Sequence, residues 1–145
     1  MVSRNILDKA IETVSSNILE LEKAADIDWD KYSSDVRARR FVERTLHVMI
    51  EACLDIAHHI ISEKGFREPS TYRDSFTVLS ENGILPPEDL PTFEKIAMFR
   101  NLIVHYYEMI DDAVVFGVFK KNLGDFSKFI RYILEYLERD QETGQ

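Results

Sequence analysis

The sequence is short of almost everything that interrupts or cross-links a chain. Cys53 is its single cysteine, so no internal disulfide can form, which fits a reducing, cytoplasmic setting. Placed in "IEACLDIA", the thiol reads as a small core residue among apolar neighbours. Only five glycines and four prolines occur, and the prolines are confined to one third of the chain. So few breakers favour long helices. No apolar run approaches the ~18 residues of a membrane span, and "MVSRNILDKA" lacks the apolar block of a signal peptide. Basic residues are also scarce, 18 against 26 acidic, for a formal net charge of −8. That balance argues against broad electrostatic capture of nucleic acid and leaves room only for a local basic site. Glycine-rich phosphate loops, nucleophilic triads and cysteine–histidine zinc spacings are missing too.

What is present is a soluble, globular composition, 45% hydrophobic and 30% charged over 145 residues. The length suits one domain, residues 1–145, able to bury roughly 68–70% of its unfolded surface. Ile6, Leu7, Ala10, Ile11, Val14, Ile18 and Leu21 recur at three and four, predicting an amphipathic helix from Ser3 to Ala25 with Ser3 as N-cap. "DIDWDKYSSD" breaks that pattern, with Trp29 and Tyr32 placed to pin the connection to the core. A second helix runs from Val36 to about Lys64 and ends at Gly65. Phe41, Val42, Leu46, Met49, Cys53, Ile56, Ala57 and Ile60 form its apolar side. Ile50, Leu54 and Ile61 widen that side until neighbours must bury the helix on most sides. A short helix over Thr71 to Glu81, capped by Ser70, stops at Asn82-Gly83. Pro86 and Pro87 suit the first turn of the next, and Asp111 to about Arg139 is the last, weakened by Gly117 and Gly124, which leave room for a kink or break. The tail from about residue 140 reads as frayed. The chain is therefore expected to be all-α, an up-and-down bundle of about five helices.

Two features carry polar chemistry. The first is a narrow stripe on the long helix, Arg37, Arg40, Arg44, His47, Glu51, Asp55, His58 and Ser62. It reads as a solvated edge with internal pairing, though it is the one place where basic residues cluster, in Arg37, Arg40 and Arg44. The second is "RNLIVHYY", Arg100 to Tyr107. On a regular helix Arg100 and His105 lie about 140° apart. To meet at one substrate they need a helix that ends or bulges between them, or a second copy of the protein. The residue types suit phosphodiester cleavage. A histidine titrates near neutrality and can take a proton from a ribose 2′-hydroxyl, while an arginine fork stabilises the charge growing on phosphate. Asn101 would support either group. Asp55-x-x-His58 and His105-x-x-Glu108 have carboxylate–histidine spacing, yet a di-metal bundle needs two matching motifs and two further carboxylates. No metal and no cofactor is assigned. The residues alone leave a structural role for the pair open.

"RNLIVHYY" resembles the R-x-x-x-x-H-x-Y motif of the HEPN superfamily, specifically its HepT toxin branch. Arg100, Asn101, His105 and Tyr107 match the motif arginine, its polar follower, the histidine and the tyrosine. Upstream, the "EACLDIAHHII" segment and the P-x-x-Y turn at Pro69 to Tyr72 are similar to the same branch, and the likeness covers roughly residues 35 to 140. The resemblance implies a helical bundle that forms a homodimer, with motif residues of both subunits lining one cleft. It also implies a metal-independent endoribonuclease toxin whose partner is an MntA-like nucleotidyltransferase antitoxin. That partner would transfer AMP to Tyr107, with Tyr106 as the neighbouring candidate. The alternative is a non-catalytic helical module that binds a nucleotide or the nucleotidyltransferase.

Overall fold

The computed structural model describes residues 3–105 and 111–143 of the chain. Among these residues it is helical throughout: α1 (Arg4–Lys23), α2 (Trp29–Ser34), α3 (Val36–Lys64), α4 (Tyr72–Glu81), α5 (Leu90–His105), α6 (Asp112–Lys121) and α7 (Leu123–Thr143). The all-α bundle is as expected; seven helices stand where about five were read. No helix among the described residues is long and apolar enough to cross a membrane.

The architecture is organised around α3. Its start is fixed by Asp35, whose carboxylate accepts from the Arg37 and Ala38 amides at 2.9 and 3.4 Å. Its end is a Schellman turn. Gly65, at φ 67°, adopts a left-handed conformation that costs glycine little. The Phe66 amide then reaches the Ile61 carbonyl and the Gly65 amide that of Ser62. Between these caps Val42, Leu46, Met49, Ile50, Cys53, Ile56, Ala57 and Ile60 are wholly buried. Burial pushes the Cys53 thiol far above its ordinary value, so it behaves as a core side chain. Phe41, read as part of the apolar side, is exposed. It lies at the edge of that wide face, where the described residues cover it only in part.

α1 lies along α3 and buries Leu7, Val14, Ile18 and Leu21 at helical spacing, each worth about 1.5–3 kcal/mol. Ile6, one step off that line, is exposed, and the Ser3 side chain makes no cap hydrogen bond. On the other side of α3, α4 and α5 form a helical hairpin. Phe76 of α4, Phe93 of α5 and Phe129 of α7 meet there, with ring centroids 5.6–6.3 Å apart. All three are fully buried.

The connection "DIDWDKYSSD" contains α2, which was read as a simple break. Asp28 caps it by accepting from the Lys31 amide. Trp29 and Tyr32 pack on Phe116 of α6, with centroids 5.3 and 5.4 Å away, so both rings anchor the segment. α4 begins one residue later than expected, with Thr71 rather than Ser70 as its cap. Pro87 opens a 3-10 turn, Pro87–Asp89, ahead of α5. The expected last helix is two, divided at Asn122, whose side chain bonds Asp125. α7 runs beyond Arg139, because Asp140 is buried and paired with Lys64 Nζ at 2.7 Å.

Candidate functional site

Arg100 sits on the C-terminal half of α5, facing the polar stripe of α3. Its Nε donates to Glu51 Oε1 at 2.8 Å, Nη1 lies 3.4 Å from Asn101 Oδ1, and its guanidinium carbon stands 4.2 Å from the centre of the Tyr72 ring. Three elements therefore fix one guanidinium: an acid from α3, an amide from its own helix and an aromatic face from α4. The side chain retains 12% of its exposure, against 39% for Glu51. A planar ion held on its edge and on its face keeps little rotational freedom.

The stripe on α3 thus does more than face solvent. Arg44 Nη1 approaches His47 Nδ1 at 3.4 Å, His47 Nε2 approaches Glu51 at 3.4 Å, and Glu51 passes the contact to Arg100. Two turns further, His58 Nε2 is 2.8 Å from Ser75 Oγ of α4, and its ring stacks with Tyr72 at 5.8 Å between centroids. The Ser75 hydroxyl also bonds the Thr71 carbonyl. Burial holds the His58 imidazole below its ordinary value against the opposing pull of Asp55 and Glu51, so the neutral ring predominates at neutral pH. Asp55 is raised, by burial first and by Glu51 second.

Three hollows adjoin this cluster, one of them, of about 420 Å³, running from His58 to Pro69 past Gly65. A groove of about 750 Å³ runs between α1 and α3, past Lys9, Thr13, Arg44, Glu51, Asp55 and His58. A trough of about 440 Å³ lies across the start of α4 and reaches Asn101. The connection leading into α4 is held by Arg67, which donates to Asp74 and to Glu81.

The expected site residues divide four ways. Arg100 and Asn101 come together with Glu51, Tyr72 and, through Tyr72, His58. His105 is the last residue of α5, and the helix is continuous from Arg100 to it. No bulge interrupts the helical backbone between them. Tyr106 and Tyr107 lie outside the described residues. Arg37, Arg40 and Arg44 are exposed on α3, and of these Arg44 borders the groove. Glu51 and His58 lie on the face that the polar stripe marks in the sequence, but nothing in the sequence links either to residue 100. Tyr72 stands out there only as part of a turn.

The geometry can be set beside known proteins. Residues 14–133 match the HepT-like family, described as ribonuclease HepT-like. The mRNA nuclease HepT of Shewanella oneidensis is 30% identical over 129 residues, covering 89% of this chain and 96% of that protein. The tRNA nuclease HepT of Aphanizomenon flos-aquae is 29% identical over 132 residues, covering 91% and 90%. Among solved structures, the tri-AMPylated Shewanella oneidensis HEPN toxin in complex with MNT antitoxin superposes with a TM-score of 0.82 at 29% identity, covering 90% of this chain and 98% of that one. The chain belongs to the ribonuclease HepT-like family of RNA endonucleases.

Proposed function

We propose that this chain is the metal-independent endoribonuclease toxin of a cytoplasmic toxin–antitoxin pair, acting as a homodimer. His105 removes the proton from a ribose 2′-hydroxyl, whose oxygen attacks the adjacent phosphorus. Arg100 stabilises the phosphorane, the bond to the 5′-oxygen breaks, and a group from the second copy protonates that oxygen. The products are a 2′,3′-cyclic phosphate and a 5′-hydroxyl end.

The observation that carries the dimeric reading is the unbroken helix between Arg100 and His105. About 140° of rotation separates them, so one phosphate meets Arg100 of one copy and His105 of the other. The Glu51 and Tyr72 contacts support the role given to Arg100, since a preset guanidinium loses less freedom on meeting phosphate. Arg37, Arg40 and Arg44 guide RNA toward the cleft against the chain's negative charge, and reversing two of them lowers RNA affinity at low salt. The partner is an MntA-like nucleotidyltransferase antitoxin that adds AMP to Tyr107. The added phosphate neutralises Arg100 and the adenosine blocks the cleft; the modification appears in intact mass after co-expression.

The cover over Arg100, at 12% exposure, favours a second reading in which the arginine braces a non-catalytic binding module. Incubation of the purified protein with RNA in EDTA separates the two. The nuclease cuts under these conditions, and His105→Ala and Arg100→Ala each abolish cutting while the helical circular dichroism is retained. Cleavage at the wild-type rate by either variant removes the assignment.

A further inference from the structure

The Pro69-x-x-Tyr72 turn enters the reaction above only through the Tyr72 ring that lies against Arg100. The trough of about 440 Å³ is walled by the rings of His58, Pro69 and Tyr72 and edged by Ser70, Thr71 and Asn101. Its size falls within the ~300–1,000 Å³ of ligand-sized clefts. Flat apolar walls with a rim of hydroxyls and an amide suit a nucleobase, which offers two π-faces and a polar edge. Tyr72 keeps 37% of its exposure, more than an aromatic ring with a purely internal role requires. Arg100 does not itself line the trough, but its guanidinium touches two residues that do, lying 4.2 Å from the Tyr72 ring centre and 3.4 Å from Asn101 Oδ1. A phosphate at Arg100 therefore sits one side chain away from this hollow.

The turn is also built to stay in place. Arg67 ties Asp74 and Glu81 together at 2.8 Å each, Arg73 bonds Glu94 of α5 at 2.9 Å, and His58 is anchored on the wholly buried Ser75. Rigid walls are what stacking recognition needs, because each wall must be set before the base arrives.

We infer that this trough is a nucleobase subsite for a nucleotide flanking the scissile phosphate, so that the enzyme cuts where that nucleotide is unpaired. A base in a duplex has its faces stacked and its edge paired, and it cannot enter the trough. This inference rests on the ribonuclease reading and adds to it the class of substrate.

The test uses the full-length wild-type protein and one single-stranded RNA oligonucleotide that it cleaves. Abasic versions remove the base 5′ or 3′ of the cut in turn, and a duplex version pairs both. The duplex resists cleavage. One of the two abasic substrates shows kcat/KM lowered about 5- to 150-fold, the range that loss of one stacked base gives. In Tyr72→Leu that penalty shrinks toward one, whereas Tyr72→Phe, which keeps the ring, retains it. A variant that merely loosened Arg100 would slow all substrates alike and leave the penalty intact. Independently, 4-thiouridine at the sensitive position photocrosslinks in wild-type protein to a peptide holding His58 or Tyr72, a readout that survives misfolding of Tyr72→Leu. An abasic penalty absent from the wild type, one undiminished in Tyr72→Leu, or crosslinks mapping only elsewhere overturn the subsite and leave the nuclease standing. A wild type that neither binds nor cuts RNA overturns both.

Discussion

Replacing Glu51 with alanine tests whether Arg100 is held or merely adjacent. Unit charges ~4 Å apart attract by about 4 kcal/mol at an effective dielectric near 20. That is a ceiling for the 2.8 Å Nε–Oε1 contact, because Glu51 is 39% exposed and water screens it. Hydrogen bonds to charged groups contribute about 1.5–3 kcal/mol when well shielded. Arg100, only 12% exposed, would lose the carboxylate that offsets its desolvation. Balancing these terms, Glu51→Ala destabilises the fold by about 1–2 kcal/mol. A chain of this size shifts by ~2–4 °C per kcal/mol, so the melting temperature falls by ~2–8 °C. In RNA cleavage kcat falls by ~10-fold or more, with KM changed less, since the guanidinium is present but no longer oriented. Glu51→Gln retains an acceptor and lies between. Glu51 also approaches His47 at 3.4 Å, so His47→Ala is the control and reproduces neither effect. Thermal melts and steady-state kinetics on the same preparations decide the matter. An unchanged melting temperature together with unchanged or raised kcat refutes the idea that Glu51 positions Arg100.

Three further outcomes follow from the packing and charge around the site. Phe93→Ala opens a cavity among Phe76, Phe129 and Tyr132 and costs about 3–5 kcal/mol in urea unfolding; a loss below about 1 kcal/mol contradicts that packing. The Arg67 guanidinium and the Ser70 amide hold the Asp74 carboxyl well below the usual carboxylate range. Its contribution is therefore complete above the unfolded value of ~3.9 and lost only as pH falls below that value. Asp74→Asn should melt below wild type by a constant margin from about pH 5 to 8, narrowing below about pH 4, and a margin already gone at about pH 5 contradicts the brace. Deleting residues 140–145 removes the Asp140 partner of Lys64 and lowers stability by about 1–3 kcal/mol; an unaltered melt would mean that the tail contributes nothing.

The long helix was legible because its signals are local. Asp35 and Gly65 mark its ends by their own chemistry, and the apolar register between them extends too far around the circumference to be a surface helix. α2 was invisible for the opposite reason. Six residues carry too little pattern, and the ring that holds Trp29 and Tyr32 in place is Phe116, far along the chain. The division at Asn122 falls two residues before Gly124, one of the two glycines that weaken the helix in sequence, and the Asn122 side chain bonds Asp125 there. Ile6 and Phe41 show that apolar periodicity finds a face but not where its cover ends.

The site divides along the same line. Arg100 and Asn101 stand out within eight residues of sequence. Glu51, His58 and Tyr72 reach them only through the packing of α3 and α4 against α5. The polar stripe on α3 gave the right face without its partner. The tyrosine turn gave a motif without its contact.

The claim that two copies share each cleavage centre is tested most directly by subunit complementation. Arg100→Ala and His105→Ala proteins, each inactive alone, are mixed under conditions that exchange subunits and assayed on RNA in EDTA. If a phosphate meets Arg100 of one chain and His105 of the other, half the dimers regain one intact centre of two, and activity returns to about one quarter of the wild-type rate. Mixed dimers that form but stay inactive, on an RNA that the wild type cleaves, contradict it.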